Sequence, residues 1–358
     1  MTREERIKQL KKRKRAAVII FSVLLLAFVL VALTVLINRY LEGRTSDGVT
    51  VDSELIPENE NKDSDESGDV AETDENLVTP DGIELFKGTS VYESENTKVI
   101  AESDDMQSIY AILVDAESGE IIGSKDGLSR MNPASMTKVM TVLVAAEHIS
   151  EDELDTPITI TLNETDYSFK YDLSAAGFEV DETVTIRDLF YGTILPSGAD
   201  AAMALARYVA GSEEDFVALM NEKVSELGLK DTHFTNVAGR YDEEHYSTCA
   251  DIVVIMKEAL LNPVCYEALT AHMYTTSITE AHPEGIELSN WFLRRIEDKE
   301  ELFNGRVYAA KTGYVPASGN CAVSYELNSE GHPYICVTAG AHSVWRCIYD
   351  QVTIYSGV

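Results

Sequence analysis

Positive charge is scarce in this chain once its first fifteen residues are passed. Of 358 residues, 29 are Lys or Arg against 61 Asp or Glu, a formal net charge of −32. About eight of those bases fall in MTREERIKQLKKRKR, so the remainder is more acidic still, with about 39 acids against about 16 bases between Met106 and Val358. Such a surface repels a phosphate backbone, which excludes nucleic acid as a partner. Cysteine is sparse as well. Cys249, Cys265, Cys321, Cys336 and Cys347 are odd in number and show no C-x-x-C spacing. Neither a zinc site nor a full disulfide framework is indicated. Buried unpaired thiols are expected, with Cys321 and Cys336 the pair best placed to bridge.

Long apolar runs are missing too, with one exception. Ala16 to Ile37 is about 22 residues without a charge, long enough to cross a bilayer as a helix. It ends in the bulky VLINRY instead of a small-x-small cleavage site, so an uncleaved transmembrane anchor is expected over residues 16–37. The basic residues 1–15 would then be a cytoplasmic tail, and everything beyond Tyr40 would lie outside the cell membrane. From Glu42 to Asp105 there are about 20 acids against about 4 bases and few aromatics, the composition of a chain that cannot bury enough surface to fold. Residues 38–105 are expected to be a disordered acidic linker, and residues 106–358 the folded, catalytic domain.

Within that domain, Ser108 to Val114 and Glu120 to Ser124 read as a β-hairpin around Gly119. Asn132-Pro133 is a good helix start, with Ala134 to His148 carrying Val139, Met140, Leu143 and Val144 at helical spacing. Short β-rich stretches, ITITL and TVTI, precede helical text at Arg187 to Ile194 and Ala199 to Ala210, and Ser212 caps a helix from Glu213 to Leu227. Strands return at Arg306 to Gly313, Asn320 to Leu327 and Tyr334 to Ala341. Strands at both ends with helices between them predict an α+β fold whose first and last thirds share one antiparallel sheet, with flanking helices and a mostly helical subdomain.

Ser135 and Lys138 stand three apart near a helix start, where an amine can reach a hydroxyl one turn away. Lysine serves as a base only when its pKa falls, and burial, a second cation and the helix dipole all lower it. Lys311-Thr312-Gly313 ends the apolar strand Val307-Tyr308-Ala309-Ala310, so Lys311 is a candidate for that second cation and Gly313 admits a close backbone approach.

The order S-x-x-K, then S-x-N, then K-T-G is the signature of serine penicillin-binding proteins and β-lactamases. This sequence resembles that superfamily and, within it, the D-alanyl-D-alanine carboxypeptidases of serine peptidase family S11. The likeness rests on MNPASMTKVMT, RDLFYGTILPSGADAAMALA, HFTNVAG, HYSTCAD and AAKTGY. It implies a β-lactamase/transpeptidase-like fold with Ser135 as acylated nucleophile, Lys138 as its base and Ser197 as proton relay. Lys311 and Thr312, with Gly313, would hold the substrate's terminal carboxylate. The backbone N–H groups of Ser135 and Tyr314 would hold the oxyanion. Arg346 stands where some members place a carboxylate-contacting arginine. His245 and Tyr246 belong to the matched text and are read as structural.

The implied partners are peptidoglycan stem peptides and acylating β-lactam antibiotics, with no metal or cofactor. The text departs from the family at one point: Ala199 stands where S-x-N has its asparagine. Ser318-Gly319-Asn320 follows K-T-G in the chain and so is rejected as a replacement. Two other readings stand beside a carboxypeptidase. Ala199 is the feature favouring a catalytically impaired binding module. A β-lactamase would need a deacylating glutamate, which no family-like spacing supplies.

Overall fold

The computed structural model of the protein describes residues 77–357. The tail and anchor expected over residues 1–37 lie outside the described residues, as does the linker up to residue 76. Among the described residues no helix is long and apolar enough to cross a membrane.

The centre is a six-stranded sheet in the order β1-β3-β2-β10-β9-β8. It comprises β1 (Lys98–Val99), β2 (Tyr110–Asp115), β3 (Ile121–Lys125), β8 (Gly305–Val315), β9 (Gly319–Asn328) and β10 (Pro333–Ala341). All pairings except β1 with β3 are antiparallel. First and last thirds of the domain therefore meet at the β2–β10 seam, where Cys336 stands opposite Leu113. Two-stranded ribbons, β4 (Pro157–Thr159) with β5 (Thr183–Thr185) and β6 (Met273–Thr275) with β7 (Glu287–Ser289), lie outside this sheet.

Helices cover both faces because the central strands are apolar on both. Ile112, Val114, Val323 and Val337 join one buried cluster with α1 (Thr137–His148), α3 (Ile186–Ile194), α4 (Ala199–Ala210), α5 (Glu213–Glu226), α6 (Cys249–Leu261) and α7 (Pro263–Thr270). Ala111, Leu113, Ala322 and Cys336, pointing oppositely along the same strands, join a second cluster with α8 (Leu293–Ile296) and α9 (Val344–Tyr355). The polar stretch between β4 and β5 holds a further helix, α2 (Leu162–Lys170), which hydropathy alone did not suggest. Its start is fixed by a reciprocal capping box between Thr161 and Glu164.

Two expectations need correction. The linker does not extend to Asp105: Leu85 and Phe86 are buried in the main core, β1 pairs with β3, and the Lys257 ammonium donates to the Gly88 carbonyl at 2.9 Å. A few apolar residues in acidic text suffice when a preformed sheet edge receives them. Nor are Cys321 and Cys336 bridged; all five cysteines are free and buried. Cys336 stands opposite Ser324, three residues from Cys321, so the strand register separates the two thiols.

Candidate active site

The helix-start grammar at Asn132-Pro133 yields a 3-10 turn, Ala134–Met136, before α1 begins. Asn132 Oδ1 accepts the Ala134 N–H at 3.0 Å, and Ala134 adopts φ +45°. A non-glycine residue in the left-handed region is strained, and here the strain turns Ser135 toward the strands. Ser197, before the first turn of α4, has φ +66°. Both serines are thus presented from backbone that ordinary helix or strand would not supply.

Lys138, the second residue of α1, is 1% exposed, and its Nζ lies 3.0 Å from Ser135 Oγ and 2.7 Å from the Ala238 carbonyl oxygen, to which it donates. Ser135 Oγ also donates to that carbonyl at 3.3 Å. Burial first, and the Lys311 charge second, hold the Lys138 amine well below the ordinary lysine value, while Asp200 partly opposes them. Lys311 is buried and donates to Ser197 Oγ at 2.8 Å and to the Thr312 carbonyl at 2.7 Å. Burial brings its pKa down to about 7. One low-pKa amine therefore faces Ser135, and a second buried amine faces the other serine.

Strand β8 is the last strand of the sheet, so one of its edges has no strand partner among the described residues. Val315 points its backbone toward β9, accepting the Ser318 N–H at 3.0 Å. By alternation the even-numbered residues face the open edge. Two observations agree: Asn290 Nδ2 donates to the Ala310 carbonyl at 3.0 Å, and the Thr312 carbonyl accepts from Lys311 Nζ. The Tyr314 N–H is accordingly presented at that edge. A Cβ on Gly313 would lie 2.8 Å from the Ser135 nitrogen and 2.9 Å from Cys321 Sγ, so glycine lets the strand press against the Ser135 turn.

A cleft of about 380 Å³ joins these parts, with Ser135, Ser197, Thr312, Gly313 and Tyr314 in its lining. Lys138 and Lys311 sit behind it, reached through the two serines. The geometry thus assembles every sequence-expected site residue except one. Arg346 is turned away: its guanidinium pairs with Asp350 at 2.8 Å and donates to the Asp104 and Asp105 carbonyls at 3.1 and 2.8 Å. It clamps the approach to β2, a local pairing on α9 that motif matching could not see. Asn320 borders the cleft, but its amide donates to the Ala341 carbonyl, so the S-G-N lookalike belongs to a hairpin end.

Three contributors were not legible as site residues. The Ala238 carbonyl fixes Lys138 from a loop about 100 residues away in sequence. Gly239 permits that approach, since a Cβ there would meet the Ala134 carbonyl oxygen at 1.8 Å. His245, buried and with its pKa lowered to about 3 by burial, lies 2.8 Å from Thr137 Oγ1 and ties the same loop to the start of α1, in keeping with a structural reading.

Residues 97–343 match the Peptidase S11 family, D-alanyl-D-alanine carboxypeptidase. The chain belongs to the D-alanyl-D-alanine carboxypeptidase family. It is similar to the D-alanyl-D-alanine carboxypeptidase DacF of Bacillus subtilis, 31% identical over 59% of this chain and 52% of that protein. It is also similar to the D-alanyl-D-alanine carboxypeptidase of Streptomyces sp. strain K15, 30% identical over 58% of this chain and 72% of that one. A mutant of the Streptomyces K15 DD-transpeptidase superposes with a TM-score of 0.63 at 25% identity, covering 70% of this chain and 98% of that one. The α+β architecture of sheet and flanking helices is therefore the fold of this carboxypeptidase family. The chain spans about half the length of the first relatives it matches, 52% and 56%.

Proposed function

We propose that the chain is a serine-type D-Ala-D-Ala carboxypeptidase, removing the terminal D-alanine from peptidoglycan stem peptides through an acyl-Ser135 intermediate. The observation that carries this reading is the buried Lys138 amine, 3.0 Å from Ser135 Oγ, whose pKa burial and Lys311 hold well below the ordinary lysine value. Neutral Lys138 takes the hydroxyl proton as Ser135 Oγ bonds to the penultimate D-alanine's carbonyl carbon. The oxyanion sits between the Ser135 and Tyr314 N–H groups. As the C–N bond breaks, the proton that Lys138 took passes through Ser197 to the leaving nitrogen, which returns Lys138 to its neutral form, while Lys311 and Thr312 hold the terminal carboxylate. Water then adds to the acyl carbon, giving its proton to Lys138, and the ester bond to Ser135 Oγ breaks with return of that proton.

The residues alone account for this chemistry, and β-lactams, which present a strained amide and a carboxylate, should acylate the same serine. Residues 16–37 are proposed as a single-pass anchor with residues 1–15 cytoplasmic and the catalytic domain extracytoplasmic; the uninterrupted apolar run and its basic flank support that reading.

A fluorescent penicillin and a D-Ala-D-Ala-terminated pentapeptide test the assignment together. The expected results are labelling that Ser135→Ala abolishes, and release of a single alanine seen by mass spectrometry. Labelling without release would identify a binding module, and rapid drug turnover a β-lactamase.

A further inference from the structure

The family's S-x-N asparagine would stand at position 199, and Ala199 has no side-chain amide to offer. Ala199 is buried, and its N–H donates to the Ser174 carbonyl at 2.8 Å. That bond draws the 172–177 segment onto the first turn of α4. Asp200 secures it further, its carboxylate accepting the Ala176 N–H at 2.7 Å and the Gly177 N–H at 3.1 Å. Asp172, Leu173 and Ser174 thereby form, with Ser197, the cleft wall across from β8. The Ser174 side chain is exposed, lines the cleft and has no hydrogen-bond partner among the described residues. The family resemblance implies that an asparagine in this place would steady Lys138 or donate to the substrate's peptide carbonyl. The Ala238 carbonyl already performs the first, at 2.7 Å from Lys138 Nζ.

We infer that Ser174 performs the second: its hydroxyl donates to the carbonyl of the residue preceding the scissile D-Ala-D-Ala unit, as the substrate lies between β8 and the 172–174 wall. Ser174 is thus a substrate-binding residue of this chain's own arrangement, taking over from a side chain the sequence lacks. A substrate strand paired with β8 on one side keeps carbonyl groups on the other, which a hydroxyl donor on the facing wall can satisfy. The backbone bond to Ala199 keeps that donor in register with Ser197.

The inference rests on the carboxypeptidase reading, and its test separates the two. Full-length chain in detergent is assayed for D-alanine release from a D-Ala-D-Ala-terminated pentapeptide, in four forms: wild type, Ser174→Ala, Ser174→Thr and Ser174→Ala combined with Ala199→Asn. Ser174→Ala should lower kcat/KM about tenfold, in keeping with loss of one positioned donor, with an unchanged melting temperature because the side chain is exposed. Ser174→Thr keeps the hydroxyl and should stay within about threefold of wild type. The asparagine should recover most of the loss. Wild-type kcat/KM in Ser174→Ala, or an equal loss in Ser174→Thr, overturns the assignment of Ser174. An inactive wild type that also fails to take a fluorescent penicillin overturns the carboxypeptidase reading instead. Should the asparagine variant fold poorly, the Ala and Thr variants alone decide.

Discussion

Lys138 owes its low pKa to two separable causes, and they predict different pH behaviour. Lysine is a base only in its neutral form, so acylation rises with pH through the Lys138 pKa and is flat above it. Removing the Lys311 charge with Lys311→Gln removes one of the two depressing causes, so that pKa must rise. The acid limb of penicillin acylation should move to higher pH in Lys311→Gln, beyond the general loss of rate. An unmoved limb would mean that burial alone sets the base. Arg346 makes the opposite case: its charge is bound up with Asp350, whose side chain is fully buried, and with the 104–105 backbone. Arg346→Ala should destabilise the fold by about 3 kcal/mol, measured by urea denaturation, while kcat/KM stays within about threefold of wild type. At this scale the sequence was informative where chemistry sits in side chains at short spacing, as with Ser135 and Lys138. It was silent where a distant backbone carbonyl, that of Ala238, supplies the contact. It gave no sign that a charged side chain, Arg346, is engaged by Asp350 and the 104–105 backbone.

Among the elements, β8 carries the most function per residue. Its register against β9 runs from Gly305 to Val315 with one irregularity between Val307 and Ala309, Gly313 stands opposite Cys321, and one face of the strand at Gly313 meets the Ser135 turn. Gly313→Ala would force strand and turn apart by up to about an ångström, a displacement that costs on the order of 100-fold in rate at a reacting centre. Slowed penicillin acylation with a near-native melting temperature is the expected signature; equal losses in both would point to a fold defect. Element boundaries followed the hydropathy text closely where the pattern was strong. The helix over Ala199–Ala210 begins and ends where its text predicts, and the closing three strands agree to within a residue or two. The helix over Leu162–Lys170 escaped notice because its text, LNETDYSFK, is polar enough to read as loop, and only its capping box betrays it.

For the whole molecule, the folded unit begins well before Met106. Leu85 and Phe86 are 4% and 2% exposed, and each such side chain contributes about 2 kcal/mol on burial. A fragment of residues 106–358 should therefore be at least about 3 kcal/mol less stable than one of residues 77–358, as read from urea midpoints. Composition concealed this because a few large apolar residues barely alter an acidic average. Glu326, buried in β9 with Oε2 unpartnered, adds a pH dependence: burial raises its pKa to about 8. The folded carboxyl keeps its proton up to about pH 8, whereas an unfolded one releases it near 4.5. Its contribution to stability is thus complete below about 4.5 and lost as pH rises through about 8. Wild type should lose about 3 to 4 kcal/mol from this group between pH 5 and pH 8, and Glu326→Gln should lack that slope.

The open edge of β8 also reads direction. A peptide with its carboxylate at Lys311 and Thr312 and its reacting carbonyl at the Tyr314 N–H runs antiparallel to the strand. Its amino end would then leave across Val315 and the Pro316–Ser318 turn. A stem peptide still fastened to its glycan can enter from that end without the sugar ever approaching the nucleophile. On the proposed function the Lys311 and Thr312 end takes a free carboxyl terminus, so the same cleft would also discriminate which end of a peptide it has been given.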